Sequence, residues 1–126
     1  MLLSEPLLTG RPLISAYGRG GFKLGGISHP GSLLILPEGL YAWPVGDAAM
    51  LTSEMLRPVL DRGASLGFLI LGTGQTQIFP SPELRRAFTE AGLGLDAMDT
   101  GAACRTYNVL LGEERAFAAA LIALPA

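Results

Sequence analysis

The stretch LGFLILGTG, Leu66 to Gly74, decides how this chain is read. Leu66–Leu71 is a continuous apolar run, too short for a buried helix and typical of a strand covered on both faces. It runs straight into Gly72-Thr73-Gly74. Downstream, Ser81 can cap a helix with Pro82 at its first position. Leu84, Ala87, Phe88 and Ala91 then form an i, i+3, i+4, i+7 stripe, and Gly92 supplies the stop. Leu93–Met98 reads as a short strand. Thr100 is expected to cap a last helix, with Ala103, Tyr107, Leu110 and Leu111 on one face and an end near Gly112. Phe117–Leu124 reads as the closing strand, inside the apolar run Ala116 to Leu124. The order β-α-β-α-β builds a sheet with helices packed on its faces, so the fold class is α/β.

Upstream of Leu66 the chain is rich in strands and punctuated by glycine and proline. Leu13–Tyr17 reads as a strand, Gly18–Gly21 as a turn, and Phe22–Ile27 as a short strand broken by Gly25 and Gly26. Ser28-His29-Pro30-Gly31 has the composition of a solvated turn. Ser32–Leu36 is a second fully apolar strand, Pro37-Glu38-Gly39 a tight turn, and Leu40–Trp43 a returning strand stopped by Pro44. Thr52 opens an expected helix in which Met55, Leu56, Val59 and Leu60 share a face. Pro58 predicts a kink or a restart inside it, and Gly63 ends it.

Composition narrows the function. The chain has 126 residues, 49% of them hydrophobic and 16% charged, with a mean hydropathy of +0.41. This is enough to fill one core, and the expected organisation is a single domain over residues 1–126 with residues 1–12 as an N-terminal extension. A net charge of −2, with Lys23 the single lysine, argues against a nucleic-acid partner. One cysteine and one histidine exclude an intrachain disulfide and the usual zinc ligand sets, so no metal and no cofactor are expected. No apolar run approaches the roughly 20 residues of a membrane span. The opening MLLSEPLLTG lacks a basic n-region, and no Arg-rich presequence is visible, so the expected compartment is the cytoplasm.

Each candidate for chemistry has a plain structural reading beside it. Gly72-Thr73-Gly74 after a buried strand suggests a dinucleotide loop, but position 77 is Gln77 and Ile78-Phe79-Pro80 delays the helix, so the turn reading is preferred. Gly18-Arg19-Gly20-Gly21 and Gly25-Gly26, with Lys23, read as hairpin turns before they read as a phosphate cradle. Cys104 beside Arg105 near a helix start could have a lowered thiol pKa, yet no base lies close in sequence, and a small buried hydrophobe is the simpler account. His29 reads as a surface residue. No catalytic residues are assigned.

Two candidate sites remain. Asp99, Thr100, Arg105, Thr106 and Asn108 are the densest polar cluster in an apolar region. With Gly72, Thr73 and Gly74 they could form a polar patch or anion pocket where strands end; the structural alternative is a capped helix whose Arg105 pairs with Asp99 or Glu113. Tyr41 and Trp43, near the end of a strand at Pro44, are the candidate partner surface, weighed against a Trp43 that closes the core.

Taken in order, Gly31-Ser32, Pro37-Glu38-Gly39 with Trp43, Leu51-Thr52, the LILGTG block Leu69–Gly74 and the stretch Met98 to Ile122 are together distinctive. The chain resembles the domain family of largely unknown function that includes NADH dehydrogenase 1 alpha subcomplex assembly factor 3, as an uncharacterised bacterial member. The resemblance covers roughly Ile14 to Leu124 and is most specific over Met98–Asn108. It implies three layers, a central mixed sheet with helices on one side and β and α elements on the other, the small β layer coming from the N-terminal third. It also implies a non-enzymatic assembly or interaction factor whose partners are proteins, respiratory complex I subunits or assembly factors among them, met peripherally at the inner membrane. The alternative is a small-molecule or anion-binding protein, an enzyme included, using the groove near Gly72–Gly74 and Asp99–Arg105.

Overall fold

In the computed structural model, which describes Leu3 and residues 5–113 and 115–126, strands fill the first third of the chain. They are β1 (Leu8–Thr9), β2 (Ile14–Gly18), β3 (Gly21–Leu24), β4 (Ile27–Pro30), β5 (Ser32–Leu36) and β6 (Gly39–Trp43). Two 3-10 turns at Ala48–Met50 and Ser53–Leu56, the short helix α1 (Arg57–Leu60) and a third 3-10 turn at Gly63–Leu66 follow. Then come β7 (Phe68–Gly72), α2 (Pro82–Ala91), β8 (Gly94–Met98), α3 (Thr100–Leu111) and β9 (Ala118–Leu121). Met1, Leu2 and Ser4 of the N-terminal segment lie outside the described residues.

Six strands form the central sheet in the order β1-β6-β5-β9-β7-β8. It is mixed: β7 runs parallel to β8 and β9, while β5 is antiparallel to β6 and β9, and β1 to β6. The smaller sheet β2-β3-β4 is an antiparallel meander. Both of its hairpins turn through two residues with positive φ, Arg19-Gly20 and Gly25-Gly26, the turn geometry that matches the twist of the flanking strands.

The strand period of two divides the core. Leu34, Leu36, Tyr41, Trp43, Leu69, Leu71, Ala118 and Ala120 face Leu56, Val59, Leu60, Leu84 and Phe88 of the first two helical segments. Their neighbours Leu33, Ile35, Leu40, Ile70, Ala119 and Leu121 face α3 and the small sheet, meeting Ala103, Cys104, Tyr107, Phe22 and Leu24. The three-layer α/β reading therefore holds, with both faces of β5, β7 and β9 covered.

Several local readings are corrected. The helix expected from Thr52 is broken, because Pro58 lacks a donor and can be placed only in a first turn, so the α-helical hydrogen bonding restarts at Arg57; Thr52 makes no side-chain cap. Gly63 opens a 3-10 turn at φ +65° instead of ending the segment. His29 lies within β4, paired to Phe22, not in a turn. The closing strand is shorter than the apolar run, Ala118–Leu121.

Trp43 and Tyr41 are 2% and 6% exposed, which corrects the partner-surface reading. The cause is tertiary. Trp43 Nε1 donates to Met55 O at 2.8 Å, so the indole packs under the segment after β6. Tyr41 Oη donates to Glu38 at 3.0 Å, and Glu38 accepts two hydrogen bonds from Arg62 at 2.6 and 2.7 Å. That guanidinium holds the Glu38 carboxyl down at about 2.

Candidate functional site

The parallel strands β7, β8 and β9 end together, the place where open α/β sheets usually leave room for a ligand. Here that place is packed. Gly72 ends β7 against the first turn of α3: a Cβ at position 72 would lie 3.1 Å from Thr100 Cα and 3.2 Å from Ala103 Cβ. Glycine is thus what lets the helix sit down on the strand.

Thr100 is fully buried and its hydroxyl closes the joint. Oγ1 accepts from Gly74 N–H at 2.9 Å and donates to Ile122 O at 2.6 Å, while Thr100 N–H donates to Gly74 O at 2.9 Å. Thr73, 4% exposed, is treated alike: its N–H donates to Met98 O at 2.8 Å, and Oγ1 donates to Thr76 O at 2.6 Å and accepts from Ile78 N–H at 3.1 Å. Buried polar groups lose water, so each such bond replaces one that the unfolded chain had. The backbone donors of Thr73 and Gly74 that would cradle an anion are engaged within the fold.

Asp99, not Thr100, caps α3. Its carboxylate accepts from Ala102 N–H at 2.9 Å, placing a negative charge on the positive end of the helix dipole. With its hydroxyl committed to Gly74 and Ile122, Thr100 enters the helix as its first residue instead. An incoming anion would meet the Asp99 carboxylate there.

Of the other three cluster members, Thr106 donates from Oγ1 to Met98 Sδ at 3.4 Å, and Arg105 and Asn108 point elsewhere. Arg105, exposed, donates from Nη1 to Tyr17 Oη at 2.9 Å and is not paired with Asp99 or Glu113. Asn108 makes two bonds to one residue: its Oδ1 accepts from Ile14 N–H at 2.8 Å and its Nδ2 donates to Ile14 O at 2.9 Å. The amide thereby stands in for a neighbouring strand along the edge of β2. The structure brings Gly72, Thr73, Gly74, Asp99 and Thr100 together, and sends Arg105 and Asn108 to the small sheet.

Cys104 is 1% exposed, and burial pushes its thiol up to about 12 despite Arg105 beside it, the reverse of an activated nucleophile. Tyr107 Oη donates to Pro12 O at 2.8 Å, and burial raises its pKa too. Among the described residues no group of three His, Cys, Asp or Glu side chains could hold a metal ion, and no helix is long and apolar enough to cross a membrane.

Sequence reasoning missed Tyr17, the partner of Arg105, and Gln77, whose Nε2 donates to Ala97 O at 2.8 Å. It also passed over Phe79, which is 81% exposed. A signal for the last was available: an aromatic residue between Ile78 and Pro80 in a stretch outside any regular element.

Comparison with known proteins fits this picture. The chain is 32% identical over 114 residues to NADH dehydrogenase (ubiquinone) 1 alpha subcomplex assembly factor 3 of Danio rerio, covering 90% of this chain and 66% of that protein. The chain thus spans about two thirds of that relative's length. An uncharacterised protein of Rhodobacter capsulatus is 32% identical over 121 residues, covering 96% of this chain and 92% of its own. Among solved structures, a protein of Bartonella henselae described as an outer membrane protein superposes with a TM-score of 0.86 at 40% identity, covering 92% of this chain and 98% of that one. Residues 14–122 match the family described as Protein of unknown function (DUF498/DUF598), and the chain belongs to it.

Proposed function

We propose that this chain is a non-enzymatic assembly or interaction factor that works by binding proteins, respiratory complex I subunits or their assembly factors among them. The observation that carries the reading is its 32% identity, across 90% of its length, to a protein named as a complex I assembly factor. The geometry at the strand ends supports it: the hydroxyls and backbone donors that a small ligand would need are engaged with one another. The working site is then a surface, reached from the cytoplasm and peripheral to the inner membrane.

Cross-linking mass spectrometry on the tagged chain, from gently solubilised membranes of cells that contain complex I, tests this. The expected result is reproducible cross-links to complex I subunits, with less assembled complex in a deletion strain. Wild-type levels of assembled complex without the chain, and no such cross-links, would overturn it.

A further inference from the structure

Among the described residues no strand pairs with the outer edge of β8, which runs beside a groove. β8 is the last strand of the central sheet. Gly94 N–H donates to Gly67 O at 3.1 Å, and Met98 O accepts from Thr73 N–H at 2.8 Å, so both residues turn their backbone groups toward β7. Alternation along a parallel ladder then turns Leu95 and Ala97 outward. Gln77 covers one of the outward groups, Ala97 O. Leu95 N–H, Leu95 C=O and Ala97 N–H are left facing away from the sheet. Such a row pairs readily with another extended chain.

Next to this edge, on the face covered by α2, is a groove of about 410 Å³ whose lining mixes Phe79, Pro80 and Leu95 with Gln77, Arg85 and Asp96, over the buried Phe88 and Leu93. Phe79 stands at its rim, 81% exposed, with Ile78 37% exposed beside it in the chain. An open strand edge beside a groove under a helix is the arrangement in which a peptide adds as a strand and sinks alternate side chains into the groove.

Two charges decide the occupant. Arg85 has no ion-pair partner among the described residues, and it lines the groove. Asp96 is the middle residue of β8 and is exposed. Two copies of β8 paired antiparallel about their centres would set Asp96 against Asp96, and like charges directly opposite are destabilising. The edge therefore suits a different chain better than a second copy.

We propose that the β8 edge accepts an extended segment of another protein as a seventh strand of the central sheet. The segment places an apolar side chain against Phe79 and the half-buried Leu95, and a carboxylate beside Arg85. This rests on the reading of the chain as a protein-binding factor and gives that reading a location.

The test needs no named partner. A random 12-residue peptide library displayed on phage is selected against the full chain, and the enriched peptides are synthesised. The expected peptides carry an acidic residue and alternating apolar positions, and they slow hydrogen exchange at the Leu95 and Ala97 amides. Phe79→Ser and Arg85→Glu should each weaken them about tenfold, the scale of losing one anchor, without moving the melting temperature. A selection that enriches nothing, or peptides that leave those two amides and both variants unaffected, would overturn the proposal. So would a free chain that is dimeric with the two amides already protected. Failure here with complex I cross-links intact would leave the assembly reading standing at another surface; success here without those cross-links would leave a peptide-binding protein of another pathway.

Discussion

The loop between β7 and α2 joins two regions that treat their polar backbone in opposite ways. At its start, around Gly72–Gly74, Thr100 and Ile122, donors and acceptors meet inside the protein over 2.6–3.0 Å. At its end, around Phe79 and β8, strand groups face outward and an aromatic ring stands in water. The edge of β2 sharpens the contrast, because there the Asn108 amide fills the place of a missing strand. The fold closes an edge and a strand end where it needs rigidity and leaves the β8 edge open. The difference separates a joint that holds the layers together from a surface available to a partner.

The joint can be broken most severely at its centre. Thr100→Val keeps the shape of the side chain but leaves Gly74 N–H and Ile122 C=O buried without partners, so a loss of roughly 2–4 kcal/mol is expected in denaturant melts. Asn108→Ala opens the edge of β2 and should cost about 1–3 kcal/mol by the same assay, since Ile14 is buried and loses both bonds.

A smaller effect is expected at Glu38, which ties the β5–β6 turn to Arg62. Its pKa is held at about 2, chiefly by hydrogen bonds from Arg62, against an ordinary 4.5. As pH falls the unfolded chain protonates Glu38 first, so the stabilisation is complete above about pH 4.5 and disappears as pH approaches 2. Both side chains are partly exposed, 34% and 45%, so solvent screening limits the amount to about 1 kcal/mol. Glu38→Gln should flatten the pH dependence of stability in that window. Smallest of all, Phe79→Ser should leave stability within about 0.5 kcal/mol of wild type, as expected for a side chain that contacts mainly water.

Much of this architecture is legible in the sequence because burial has a period. Leu33 to Leu36 and Leu69 to Leu71 read as strands covered on both faces, and alternate residues do enter the two cores. Ser81 and Pro82 mark the start of α2 without ambiguity. Asp99 and Thr100 are both good cap residues, and which one caps α3 depends on Gly74 and Ile122, far along the chain. The burial of Trp43 likewise depends on the carbonyl of Met55, and the partner of Arg105 is Tyr17, 88 positions away. The structure brings Gly72, Thr73, Gly74, Asp99 and Thr100 together. Whether their donors were open or engaged is a matter of tertiary contacts that no local pattern records.

Amide hydrogen exchange of the free chain tests the contrast between the two regions most directly. The Gly74, Thr100 and Ile122 amides, all bonded within the joint, should exchange only through global unfolding, whereas the Leu95 and Ala97 amides should exchange orders of magnitude faster. Equal protection at the two sets would contradict the account, as would fast exchange at Gly74 and Thr100 beside a protected β8.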